Sequence, residues 1–352
     1  MTLGRSPRRG WPGAVALLVV LAAAIGCASP QAATSRPATG PAAAAPAPAA
    51  LKPFVFAGTT ATSITSLPIW MGLASGYFAE EGLDLSILLA GGSASLAALM
   101  SGDAHASAAG ETGVRAAFQG GPFVVVAVPI TRPSYFIYSQ PEYTSLQQLK
   151  GQSIAITVNG TSPHVLAMRL LRQLDGWSDP AREARWVAAG NQRVETLAAG
   201  AVQAGVLGSP EDLVADRLGM RKHLDFSEHL VLPVGSINVT TTYASENADD
   251  LRRFLRGLLK GLRRAHADAA FTAAVIQQRA EVDAETARAL YQSEMPKFTT
   301  DNTMPESALA LSLEINRESL EAIEHDLRTS DAYDFTLATQ VARELDNSGW
   351  RP

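Results

Sequence analysis

The sequence predicts an α/β protein built from two similar lobes. Three features point to it: a strand-loop-helix-strand unit over residues 51–89, an internal repeat, and two apolar segments placed to carry the chain between lobes. In the first unit, Phe54-Val55-Phe56 is a short apolar run that reads as a buried strand. It empties into Gly58-Thr59-Thr60-Ala61-Thr62-Ser63-Ile64-Thr65-Ser66, a loop made almost wholly of glycine and hydroxyl residues. A helix is expected next. Ser66 can accept a hydrogen bond from a free amide of the first turn, Pro68 has no N–H to lose there, and Gly82 stands where a left-handed stop is wanted. Trp70, Leu73, Ala74, Tyr77 and Phe78 make one apolar stripe on it. Leu83, Leu85 and Ile87 then alternate with Asp84 and Ser86, as in a strand. The hydroxyl-rich loop therefore lies at a strand's carboxyl end and a helix N-terminus, where open α/β sheets bind small ligands.

Residues 88–110 align without gaps on 186–208: Ala90, Gly92, Leu99, Gly102, Ala106 and Gly110 meet Ala188, Gly190, Leu197, Gly200, Ala204 and Gly208. Each copy reads strand, glycine turn, helix, glycine, strand. The period of about 98 residues is far too long for a solenoid and suits one unit per lobe. Further loops join strand ends to helix starts. Gly91-Gly92-Ser93 and Gly110-Glu111-Thr112 do so in the first lobe; Asn159-Gly160-Thr161-Ser162, ahead of a helix from Pro163 to Leu174, and Ser209-Pro210-Glu211 do so in the second. Val124 to Ile130 leaves lobe one through Thr131-Arg132-Pro133-Ser134-Tyr135, and Val231 to Val239 returns past Gly235, Ser236 and Asn238. Amphipathic helices are expected over Asp249 to Ala267, Ala284 to Glu294 and Ala308 to Thr329, packed on lobe one. Arg252-Arg253 and Arg263-Arg264 on them read as solvated faces with acidic neighbours.

The N-terminus has a different character. Arg5, Arg8 and Arg9 precede an apolar stretch, Ala14 to Ile25, that is short for a membrane span and shaped like the core of an export signal. It ends in Ala24-Ile25-Gly26-Cys27, similar to a bacterial lipobox except that Ala24 stands where leucine is usual. A plain secretory signal cut within the alanine run is the alternative. Cys27 is the sole cysteine of the chain, so no disulfide or zinc-thiolate cluster is possible after it, and anchoring is the use its position suggests. Residues 28–50, rich in Ala and Pro with only Arg36 charged, read as a tether. Loss of Arg5, Arg8 and Arg9 from the 29 basic residues leaves 26 against 34 acidic ones, a net charge of −8, which argues against nucleic acid as a partner.

The run Pro68-Ile69-Trp70-Met71-Gly72-Leu73-Ala74-Ser75-Gly76-Tyr77-Phe78-Ala79-Glu80-Glu81-Gly82-Leu83-Asp84-Leu85 resembles the opening signature of solute-binding proteins of ABC importers for nitrate, sulfonates, taurine and thiamine-pyrimidine precursors. Leu149-Lys150-Gly151, Gly190-Asn191 and Leu197-Ala198-Ala199-Gly200 resemble that family's second-lobe landmarks, so the likeness covers most of residues 54–260. It implies a type II periplasmic-binding-protein fold: two α/β lobes joined by two hinge crossings, with lobe one formed by 51–131 and 236–352 and lobe two by 132–235. A signal peptide over 1–27 and a linker over 28–50 would precede them. It also implies a lipid-anchored monomer outside the cytoplasmic membrane, periplasmic or on the outer face, that binds a small molecule and works with a permease and an ATPase, without cofactor or catalysis.

On this reading the ligand-facing positions are Thr62, Ser63, Ser66, Gly92, Ser93, Glu111, Thr112, Arg132, Tyr135, Asn159, Thr161, Ser162, Asn191, Ser209 and Asn238. Hydroxyls and helix-start amides would take an anionic or carbonyl-bearing group, Arg132 would add charge from the crossing, and Tyr135 would stack. Glu111 and Glu211 stand at helix starts, where capping the amides of their own helices is the simpler role for each, and Trp70 belongs to the core stripe. The histidines His105, His164, His223, His229, His266 and His325 share no metal-ligand spacing, and no Walker loop or dinucleotide fingerprint occurs. Two other readings stand beside solute import. One is a ligand-sensing subunit of a membrane receptor. The other is an enzyme like the fungal pyrimidine synthase for thiamine, whose cysteine-rich motif has no counterpart here and whose histidine is replaced by about Ser66.

Overall fold

Residues 50–58, 63–319 and 326–352 are described by the computed structural model. Lys52–Gly58 (β1) turns Phe54 and Phe56 inward and pairs in parallel with Leu83–Leu89 (β2), from Lys52 opposite Leu83 to Gly58 opposite Leu89. Between them run Leu67–Ala74 (α1) and Tyr77–Glu80 (α2). The single helix expected up to Gly82 is broken at Gly76, whose φ of 72° suits a residue without Cβ. The bend buries Tyr77 and Phe78, the latter in the same core cluster as Trp70, and leaves Ala74 exposed. Ser93–Ser101 (α3), Ala106–Ser107 (β3), Glu111–Phe118 (α4) and Phe123–Ala127 (β4) complete the first pass through lobe one.

Lobe two follows as Tyr135–Ser139 (β5), Ser153–Ile156 (β6), Ser162–Asp175 (α5), Pro180–Glu183 (α6), Arg185–Ala188 (β7), Arg193–Ala198 (α7), Ala204–Gly208 (β8), Glu211–Arg217 (α8) and Arg221–Asp225 (β9). The chain returns to the first sheet as Ile237–Thr240 (β10). It ends in Thr241–Glu246 (α9), Ala248–Ala267 (α10), Ala269–Ala280 (α11), Ala284–Glu294 (α12), Glu306–Ser319 (α13) and Thr336–Asn347 (α14).

The two sheets share one plan. Their orders are β2-β1-β3-β10-β4 and β7-β6-β8-β5-β9, with parallel strands on one side and one antiparallel strand, β10 or β5, inserted fourth. The repeat seen in the sequence is the β2-α3-β3 segment laid over β7-α7-β8. Gly92 and Gly190 take φ values of 53° and 59° before their helices, and Gly102 and Gly200 take 81° and 69° after them. Ala106 pairs with Phe56 and Ala204 with Ile154, the same station in each sheet.

The two crossings lie against one another. The Leu232 amide donates to the Thr131 carbonyl at 2.8 Å and the Val234 amide to that of Ile130 at 3.1 Å. Lobe one is filled from the C-terminal side: Phe254 of α10 stacks on Phe54 at 4.7 Å and lies 5.9 and 5.8 Å from Phe56 and Phe78. The arginine pairs of α10 have the acidic neighbours expected, Arg252 on Glu344, Arg253 on Asp249, Arg263 on Asp346 and Arg264 on Asp268, but only Arg253 is exposed and the other three are half-buried.

Helix α13 departs from expectation. Over its described span Ala308 and Leu309 pack with the lobe-one residues Phe118 and Val125, whereas Ile315 packs with Leu166 and Leu170 of lobe two. Arg169 of α5 adds ion pairs to Glu314 and Glu318 at 2.9 and 3.3 Å. One helix thus serves both lobes, because apolar residues occupy two of its faces. Of the segment read as helical to Thr329, residues 320–325 lie outside the described residues.

Candidate functional site

Helix starts and strand ends of the two lobes face each other across a cleft that holds two cavities. The larger, about 450 Å³, is lined from lobe one by Ser63, Thr65, Ile130 and Glu294 and from lobe two by Ser134, Asn191, Arg193, Ser209 and Glu211. The smaller, about 140 Å³, lies between α4, α5 and α13. Tyr135 and Val234, one from each crossing, border both.

Charge in the larger cavity is balanced within the protein. Arg193 donates to the Glu211 carboxylate, to Thr157 Oγ1 and, at 3.0 Å, to the Gly190 carbonyl. Glu211 also accepts from the Gly208 amide at 2.8 Å, so it braces its own helix start. Deeper, Ser134 Oγ donates to Glu294 Oε2 at 2.5 Å while Lys297 pairs with Glu294 Oε1 at 2.9 Å, both ions almost fully buried. Asp212 on α8, 2% exposed, faces this pair; burial first, then the Glu294 charge, pushes its carboxyl up to about 6 against the pull of Lys297 and Lys222. Free hydroxyls remain for a solute: Ser63 and Thr65 share one hydrogen bond of 2.8 Å, and Ser209 Oγ is buried without a partner.

Around the smaller cavity Glu111 accepts from Asn316 Nδ2 at 2.9 Å. Burial raises its carboxyl above the usual range, and the Asn316 hydrogen bond and the Arg115 charge only partly oppose this. Burial likewise raises the Tyr135 phenol, whose ring meets Phe226 edge-on at 6.2 Å.

Of the positions picked from sequence, Ser63, Glu111, Tyr135, Ser162, Asn191 and Ser209 line these cavities. Gly92, Ser93, Thr112, Asn159 and Thr161 stand at strand-to-helix turns but line neither; Ser93, Thr112 and Asn159 are exposed, and Thr161 Oγ1 is turned back to the Val158 carbonyl at 2.7 Å. Three positions are placed otherwise than expected. Ser66 is buried and makes no side-chain cap, because the chain enters α1 through a 3-10 turn at Ile64–Ser66. Arg132 donates to the Ser227 carbonyl, which the second lobe offers beside the crossing. Asn238 is fully buried in β10 beneath Gly113, where any Cβ would collide with it. Thr62 and Cys27 lie outside the described residues. Arg193, Arg115, Ser312 and Asn316 were not picked. Arg193 stands two residues after Asn191 and was within reach of the sequence, but the α13 residues come together with Glu111 only through the fold.

Two lobes of identical strand order, two adjoining crossings and a cleft bounded by both define the type II periplasmic-binding-protein fold. The chain belongs to the NMT1/THI5-like family, whose model matches residues 63–270, more than half its length. Among solved structures it is similar to the aliphatic sulphonate binding protein SsuA of Escherichia coli: 18% identity and TM-score 0.64, covering 76% of this chain and 91% of that one. The nitrate-binding protein NrtA of Synechocystis PCC 6803 gives 13% and 0.68 over 84% and 89%. A protein from Bordetella bronchiseptica RB50 gives 19% and 0.68 over 84% and 98%. No curated protein sequence matches significantly.

Proposed function

We propose that the protein captures a small organic solute outside the cytoplasmic membrane and delivers it to the permease and ATPase of an ABC importer. The observation that carries this reading is the cleft itself: hydroxyls and polar groups of both lobes meet around Tyr135 and Val234, one on each crossing. A solute touching both lobes favours the closed state by its differential contacts, and closure would present the surface that a permease reads. The solute on this reading is a sulfonate, a carboxylate or a pyrimidine-like molecule; the sulphonate and nitrate named for SsuA and NrtA support the anionic members of that range. No covalent step is required. The protein acts as a monomer, held at the membrane by lipid on Cys27.

A sensor subunit would use the same fold and differ only in its membrane partner. The synthase reading is disfavoured by the lone Cys27, which leaves the folded domain without a thiol.

A solute panel screened by thermal shift, followed by small-angle scattering with each hit, tests the reading. A binding solute should raise Tm and contract the particle. A tightly bound solute that leaves the scattering profile unchanged would overturn the closure mechanism.

A further inference from the structure

The smaller cavity has a composition that calls for more than a general solute cleft. Its apolar wall includes Leu166, Leu232 and Ile315, and its polar groups are Glu111, Arg115, Tyr135, Ser162, Ser312 and Asn316. Three of these lining residues, Ser312, Ile315 and Asn316, come from α13, which lies beyond the stretch matched by the family model. Asn316 is 1% exposed and its Oδ1 is buried with no hydrogen-bond partner, an arrangement that costs stability unless something else satisfies the acceptor. On the facing helix the Arg115 side chain donates to none of the described residues, and its charge acts on Glu111. An unpartnered acceptor on one side and a guanidinium donor on the other suit a ligand group that carries a donor and an acceptor together.

We propose that this cavity is a specificity compartment for a neutral, planar carboxamide or ureido group carried on an apolar stem. The group's N–H would donate to Asn316 Oδ1 and Glu111, and its carbonyl would accept from Arg115. A volume of about 140 Å³ admits a benzene-sized ring, since an apolar cavity of about 150 Å³ does so in another protein. Helix α13 thereby decides which solute is accepted, while the larger cavity holds the rest of the molecule. The inference rests on the solute-binding reading and narrows the solute class.

Benzamide is the probe, with benzoate and benzylammonium as charged comparators of the same size. Calorimetry on the wild-type protein should show benzamide bound at least tenfold more tightly than either. With the Ile315 methyl carbon-labelled, nuclear Overhauser contacts should place the benzamide ring against it. Asn316→Leu and Arg115→Met should each abolish the preference, and the second acts at a half-exposed helix position, so it keeps the test open if the first fails to fold. Benzoate binding as well as benzamide, or benzamide without contact to Ile315, would overturn the proposal. If a panel solute still contracts the protein in that case, solute capture stands and only the compartment falls.

Discussion

Gly261 of α10 lies directly on Gly72 of α1: a methyl group at Gly261 would come within 2.6 Å of the Gly72 amide nitrogen and as close to the Pro68 carbonyl oxygen. The contact lets α10, the longest helix among the described residues, settle against the first one, which the cleft loop leads into. Gly261→Ala should therefore destabilise the protein by about 1–3 kcal/mol despite alanine's better helix propensity, since backbone atoms cannot yield as a side chain can. Urea unfolding measures it, and an unchanged midpoint would mean that α10 shifts without cost.

Removal of Arg193, whose donors join Thr157, Gly190 and Glu211 at the cleft wall, should weaken solute binding. Arg193→Met should cost about 1–3 kcal/mol of affinity for any solute that closes the lobes. Arg132→Ala should leave affinity within about 0.5 kcal/mol, because that guanidinium serves the Ser227 carbonyl and, unlike Arg193, lines neither cavity. Calorimetry showing the reverse order would move the site toward the crossing.

Asp212 should make stability fall as pH rises. Its carboxyl is held at about 6 in the fold against 3.8 ordinarily, so between those values the native state binds more protons than the unfolded chain. The cost is absent below about pH 4 and complete above about pH 6, at roughly 3 kcal/mol for a shift of this size. Asp212→Asn should flatten this part of the profile and stabilise the protein at pH 7. Equal slopes for variant and wild type in urea titrations from pH 4 to 8 would remove Asp212 as the cause.

Cys27→Ala should release the exported protein from the membrane or stall its processing. Metabolic labelling with a radioactive fatty acid checks this: label on the wild type and none on the variant is expected, and an unlabelled wild type would sink the anchor.

Much of this architecture was legible because local patterns carried it. The glycine spacing of residues 88–110 and 186–208 reappears as two superposable strand-helix-strand units, since a left-handed turn before and after a short helix leaves glycine as the natural choice. Ser63, Glu111, Ser162 and Ser209, which line the two cavities, were picked by the same logic, a strand end meeting a helix start. That logic failed at Asn238, which sits in a strand and is hidden because Gly113 lets α4 press on it. It also failed for Asn316, whose partner Glu111 lies 205 residues earlier. Such a pair leaves no local signal. Ser66 misled because its side chain turned into the core once the chain tightened into a 3-10 turn.

The insertion of β10 between β3 and β4 has a consequence for how the chain emerges from the ribosome. All five strands of the second sheet lie within residues 135–225, so that sheet can close as soon as its own stretch is made. In the first sheet, β4 has no strand to pair with until residues 237–240 follow. The half of the molecule that is synthesised first is thus the last to be completed, with β4 waiting for a strand that is made only after all five of the second sheet.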